Sequence, residues 1–283
     1  MAKNKNANPD EMSFLDHLEE LRWHLIRATL AIVIVGVVAF VFKDFIFDAI
    51  IFAPANADFI SYDLLCQLAQ MVGSDKGCVN EMNFTIQNRT MGGQFNAAIW
   101  TSIIVGIVVA FPYVIYEFWK FISPGLYEKE RKNSRGFIVI SSLLFFMGVL
   151  FGYYIIAPLS INFLANFTVG DMVDNEFDID SYIGLVRASA LAAGLIFELP
   201  IIIYFFTKIG LVTPQFLRKY RKYALIIVLV VSAVITPPDI STQVIVSIPI
   251  LILYEASILI SAFVTRQEAR ELKRAQQRAA KKQ

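Results

Sequence analysis

The residues that carry chemistry in this chain are few, and carboxylates dominate them. Glu198 stands inside an apolar run, flanked by Gly194, Leu195, Ile196, Phe197, Leu199, Pro200 and Ile201. An ionisable group there is costly, and two readings stay open: a functional, proton-bearing acid or a structural hydrogen bond to a neighbouring helix. Asp16, Glu20 and His24 recur at helical spacing and share one face, opposite a stripe of Phe14, Leu15, Leu18, Leu21 and Leu25. Ser13 with Asp16 fits a capping box at the start of that helix. The helix, taken alone, reads as an interfacial anchor with a solvated acidic face, although acidic residues are not what favours contact with an anionic leaflet. A third group, Glu128 and Glu130, lies among Lys129, Arg131 and Lys132, behind Phe118, Trp119, Phe121 and Tyr127, which suit an interfacial aromatic belt.

Bond-making chemistry finds little footing. The histidines are His17 and His24 and the cysteines Cys66 and Cys78, too dispersed to assemble three or four zinc ligands. No phosphate-cradling glycine loop and no His-Glu-x-x-His string occurs. The expectation is a protein that is not an enzyme, with no cofactor, no metal and no nucleic-acid partner.

The elements that position these groups follow from hydropathy. With 57% hydrophobic residues and 24 Phe, the chain holds more apolar surface than a soluble domain of 283 residues can bury. Crossing a bilayer takes about 20 apolar residues per helix. Such runs lie at 25–42, 97–116, 137–156, 183–206, 223–235 and 243–264, predicting an all-α, polytopic membrane protein of six transmembrane helices. Residues 1–24 form a cytoplasmic amphipathic helix, 25–264 the membrane domain and 265–283 a basic tail. A cleavable signal peptide ending near Ala53-Pro54-Ala55 is disfavoured by the length of the first run and by the proline.

Basic residues alternate between segments. Lys3, Lys5, Arg22 and Arg27 precede or open the first run; Lys120, Lys129, Arg131, Lys132 and Arg135 fill the loop after the second; Lys208, Arg218, Lys219, Arg221 and Lys222 follow the fourth. The positive-inside rule therefore places both termini in the cytoplasm and the acidic segments outside. Both cysteines fall in the first external segment, where a disulfide is permitted, although spacing alone does not establish its geometry. The fifth run covers only about 20 Å, and Thr236-Pro237-Pro238-Asp239 ends it in a tight hairpin. A span so short implies local bilayer thinning or a water-filled recess beside it.

Four strings stand in register with these runs: Leu18-Glu19-Glu20-Leu21-Arg22, Phe121-Ile122-Ser123-Pro124-Gly125-Leu126-Tyr127 with Glu130-Arg131, Phe197-Glu198-Leu199-Pro200, and Thr236-Pro237-Pro238-Asp239. Together they resemble TatC, the multispanning subunit of the twin-arginine protein translocase. The resemblance implies a Sec-independent translocase subunit of the inner membrane that recognises twin-arginine signal peptides and exports folded proteins on the proton motive force. It implies a concave arrangement with a short fifth and a short or tilted sixth span. Glu20 and Glu130 would receive the arginine pair; Phe121, Pro124, Leu126, Tyr127, His17 and Arg22 would shape or support that site. Glu198 and Pro200 would be the intramembrane functional residues, facing a lipid-facing or water-invaded groove. Thr236, Gln243 and Asp239 would lie where single-span partner subunits of the TatA or TatB type dock. Self-association in a receptor complex is implied as well. Ala233 departs from the Met expected in that polar patch, and the segment from Pro54 to Asn96 exceeds the family's usual loop. Two rival readings remain: a proton-coupled secondary transporter of a small solute using Glu198, and an assembly factor that only binds another membrane protein.

Overall fold

A computed structural model describes residues 14–71, 84–122, 134–170 and 175–280. Its elements are helical except for two three-residue strands, β1 (Thr85–Gln87) and β2 (Glu176–Asp178). The main helices are α1 (Phe14–Val41), α2 (Ile60–Met71), α3 (Gly93–Ile122), α4 (Ser134–Phe151), α5 (Ala157–Asn166), α6 (Ile179–Phe197), α7 (Leu199–Lys208), α8 (Pro214–Lys219), α9 (Arg221–Ile235) and α10 (Ile240–Ala280).

Among the described residues, six stretches are long and apolar enough to cross a membrane: Leu18–Val41, Lys43–Gln67, Gly93–Ile122, Gly136–Asn166, Ile179–Lys208 and Thr242–Arg278. Five contain runs expected from the sequence. The sixth, Lys43–Gln67, is not one continuous α-helix: a π-helical turn at Ile46–Ile51 leads to a 3-10 turn at Ala53–Ala55 before α2 begins. The fifth expected run appears as α9, 15 residues and about 22 Å long, too short for the usual span. Within a bilayer all backbone polar groups must be satisfied internally, so helices are the form these runs take.

Several boundaries differ from those read in the sequence, each for a local reason. No Gly or Pro separates the amphipathic segment from the first run, so α1 continues through His24 and Leu25 without a break. The third run extends to Asn166, because Pro158 falls in the first turn of α5, where its missing N–H costs nothing. The fourth is interrupted at Glu198, and Pro200 opens α7. The last helix is not short. It passes the apolar stretch and continues to Ala280, since Arg, Glu, Gln, Lys and Ala are good helix formers in water.

The chain forms two compact units, one of Met1–Ala53, Ile86–Phe146 and Asp178–Ile183, the other of Pro54–Thr85, Met147–Phe177 and Gly184–Gln283. In the first, α1 lies along α3 at a glycine contact. A Cβ on Gly106 would meet the Ile32 carbonyl oxygen at 2.7 Å and Gly36 Cα at 3.1 Å. Phe111 stacks on Phe145 at 3.6 Å, and the Tyr182 hydroxyl donates to Ile51 O at 3.0 Å.

In the second unit Gly148 and the π-helical turn Gly152–Ile156 seat against α6, where a Cβ on Gly148 would stand 2.6 Å from Ala193 O. Ile156, Ala193, Val228, Val246 and Ile250 form one core cluster, and Ile203, Leu217, Tyr254 and Ile258 another. Thr207 Oγ1 donates to Ser261 Oγ at 2.9 Å, and Lys208 pairs with Glu268 at 3.4 Å, fixing α7 to α10. Tyr62 OH donates to Pro54 O at 2.7 Å, and Cys66 on α2 is disulfide-bonded.

Candidate functional site

Polar groups concentrate at one end of the α1–α3 pair. Glu20, His24 and Arg27, four and three residues apart, lie along one stripe of α1. The stripe turns inward at His24, while Arg27 stays exposed. His24 is only 9% exposed, whereas Leu25 on the supposed apolar face is 58% exposed. The inward and outward faces of this helix are thus the reverse of those of a helix at a soluble surface.

His24 meets Glu117 of α3, with Nδ1 2.6 Å from Oε2. Glu117 is 2% exposed; Arg27 NH1 stands 3.9 Å from the same oxygen, and the Tyr113 hydroxyl also hydrogen-bonds this carboxylate. With Glu117 ionised, the Nδ1–H of His24 donates, a short charge-assisted bond inside a low-dielectric contact. Phe121 packs edge-on against the His24 ring at 6.3 Å. Glu20, one turn earlier, is half-buried, and its Oε2 is shielded from solvent with no hydrogen-bond partner among the described residues. Arg22 is exposed. Pro124, Leu126, Tyr127, Glu130 and Cys78 lie outside the described residues, as does the side chain of His17.

The aromatic belt divides. Phe118 is 54% exposed, as an interfacial residue should be, but Trp119 is buried against Phe137, with ring centroids 4.4 Å apart. Glu117 escaped the sequence reading because it falls one residue past the apolar run ending at Tyr116. The signal that finds it is an acid at the end of an apolar run, among aromatics and beside Lys120.

Glu198 is in the second unit and 7% exposed, at the break between α6 and α7. Its carbonyl accepts from Ile201 N and Ile202 N at 2.9 and 3.0 Å, while Pro200 can donate nothing to the α6 register. The helix interruption therefore centres on the acid itself. At the hairpin, Thr236 Oγ1 donates to Ser232 O at 2.9 Å and Gln243 Nε2 to Leu229 O at 3.0 Å. Asp239 Oδ2 accepts from both the amide and the hydroxyl of Thr242 at 2.7 Å, capping α10. Thr236 closes the end of α9, Asp239 caps α10, and Gln243 ties α10 back to α9. Glu255 of α10 makes a two-pronged pair with Arg221, at 2.7 Å from Nε and 2.8 Å from NH2.

Residues 16–249 match the family described as Sec-independent protein translocase protein (TatC). A Sec-independent protein translocase protein TatC of Blattabacterium sp. subsp. Periplaneta americana (strain BPLAN) is 44% identical over 261 residues, covering 92% of this chain and 98% of that protein. The TatCy protein of Bacillus subtilis (strain 168) is 34% identical, with 89% of each chain covered. A crystal structure of the twin arginine translocase receptor TatC superimposes with a TM-score of 0.65 at 32% identity, over 88% of this chain and 99% of that one. The solute-carrier and assembly-factor readings are not retained. With its all-helical fold and six candidate spans, the chain belongs to the TatC family of multi-pass membrane translocase proteins, which are not enzymes.

Proposed function

We propose that this chain is the signal-peptide receptor and scaffold of a twin-arginine translocase, taking two consecutive arginines of an export signal on Glu20 and Glu130. The observation that carries the reading is the Glu20 carboxylate, whose Oε2 is enclosed yet accepts no hydrogen bond among the described residues. A buried carboxylate oxygen wants a donor. A guanidinium supplies two parallel N–H bonds to a carboxylate, whereas an ammonium is a point charge, so adjacent arginines are told apart from lysines. Each charge-assisted bond is worth about 1.5–3 kcal/mol, suited to recognition that must later be released. Phe121, Pro124, Leu126, Tyr127, His17 and Arg22 surround or support the arginine site.

The distribution of Lys and Arg supports a chain with both termini in the cytoplasm and the recognition site on that side of the inner membrane. Folded cargo crosses on the proton motive force, with single-span partners of the TatA or TatB type docking near Thr236, Asp239 and Gln243 and several receptor copies associating. Glu198 and Pro200 supply the broken helix and intramembrane acid of the transport step.

Site-specific crosslinking tests the receptor role. A probe beside Glu20 should capture a twin-arginine signal peptide and not its twin-lysine variant, and Glu20→Ala or Glu130→Ala should abolish the adduct. Equal labelling of both peptides refutes the proposal.

A further inference from the structure

The buried His24–Glu117 bond takes no part in the arginine contacts of the receptor site, yet it lies one helical turn from Glu20 and joins α1 to α3. Burying two ionisable side chains at 9% and 2% exposure is expensive unless their bond is well made. Three neighbours stand against the pair: Arg27 at 3.9 Å, the Tyr113 hydroxyl and the edge of Phe121.

We infer that His24 and Glu117 are positioning residues for signal recognition, setting where the Glu20 carboxylate stands and thereby the preference for arginine over lysine. The inference rests on Glu20 being a receptor carboxylate. Its geometry is that of a rod fastened at two points. The first fastening is the glycine contact, where Gly106 admits the backbone of Gly36 and Ile32 too closely for any side chain. The second is the 2.6 Å bond of His24. They are separated by about 18 Å along α1, and Glu20 projects only about 6 Å beyond the second.

With both fastenings α1 can neither roll nor slide on α3. Without His24 or Glu117, Glu20 sits about 24 Å from the remaining one, where a tilt of about 5° displaces it by about 2 Å. A fork of two N–H bonds tolerates errors of only about 0.5 Å and 10–20°. A lysine ammonium, with three rotatable donors, is far less demanding. Loosening the pair therefore penalises arginine selectively, whereas general loss of structure would lower capture of both peptides.

The test uses the full-length chain in native membranes, with a photo-crosslinker at Leu18, which is 44% exposed, and labelled twin-arginine and twin-lysine peptides. His24→Ala and Glu117→Ala are expected to lower the arginine-to-lysine adduct ratio about ten-fold, the worth of one fork bond, at unchanged membrane levels. The exchanged pair, His24→Glu with Glu117→His, should recover the ratio. If the single variants do not accumulate, the exchanged pair decides: accumulation with a restored ratio supports the inference, and accumulation with a collapsed ratio overturns it. If the exchanged pair is lost too, Glu117→Gln decides, since it keeps an acceptor for His24 and should hold the wild-type ratio; a collapsed ratio overturns the inference. A wild type that labels both peptides equally removes the receptor proposal itself. A wild type and Ala variants that discriminate equally overturn this inference alone.

Discussion

Replacing Gly106 by Ala tests how α1 and α3 are held together. The added Cβ would lie 2.7 Å from Ile32 O and 3.1 Å from both Cα and N of Gly36, all backbone atoms that cannot rotate away. Ordinary contact begins near 3.4 Å, so the helices must part by about 0.7 Å. A gap of that size forfeits a quarter to a half of each dispersion contact; over some tens of atom pairs at about 0.1–0.2 kcal/mol each, the loss is about 1–3 kcal/mol. That matches the usual cost of overpacking. Ala regains up to about 1 kcal/mol of helix propensity, leaving a net loss of about 0–2 kcal/mol. The internal control is Gly136→Ala in α4, where nothing lies within 4 Å of the new Cβ and propensity alone should act. The assay is reversible unfolding of the purified protein in mixed micelles, comparing both variants with wild type. Should Gly106→Ala prove as stable as Gly136→Ala, the close approach of the two helices would be refuted as a determinant of their packing.

Two further outcomes follow from the second unit. Asp239→Ala removes the acceptor of both Thr242 bonds and should cost about 1–2 kcal/mol in the same unfolding assay, whereas Asp239→Asn keeps an acceptor and should cost less. For the Arg221–Glu255 fork, a double-mutant cycle in lipid nanodiscs separates two environments. A pair in water is worth about 0–1 kcal/mol, but an acid left alone in an apolar helix costs about 2.5–3.5 kcal/mol. We expect Arg221→Ala to be clearly destabilising and Arg221→Ala with Glu255→Gln to be milder, and equal effects would place the pair in water.

Two carboxylates at the α1–α3 contact, Glu20 and Glu117, were legible to different degrees for a physical reason. Glu20 is found because its neighbours, Leu18 to Arg22, form a local string, and helical spacing places it on a polar stripe. Glu117 is not, because what defines it is a histidine 93 residues away. Glu198 was conspicuous as an acid in an apolar run, but that the helix actually breaks at this residue follows from the backbone register around Pro200. Thr236, Asp239 and Gln243 were recognised as a group; the Thr236 and Asp239 bonds are local to the ends of α9 and α10, whereas the Gln243 bond to Leu229 required the two helices side by side.

What the amino-acid order determines by itself is what depends on the chain's relation to solvent. Apolar runs long enough to span, the alternation of basic loops and the brevity of α9 between Arg221 and Thr236-Pro237-Pro238 are all local, and each acts through transfer of residues between water and lipid. What only the tertiary structure decided is which side of each helix faces its neighbours. For α1 the wheel is symmetric in meaning: Leu18 and Leu25 of the leucine stripe would be buried in a soluble protein but are exposed here, and His24 turns inward. In lipid, apolar side chains gain nothing by turning toward protein, whereas polar groups lose much by facing hydrocarbon, so close packing at glycines and buried hydrogen bonds choose the contact face.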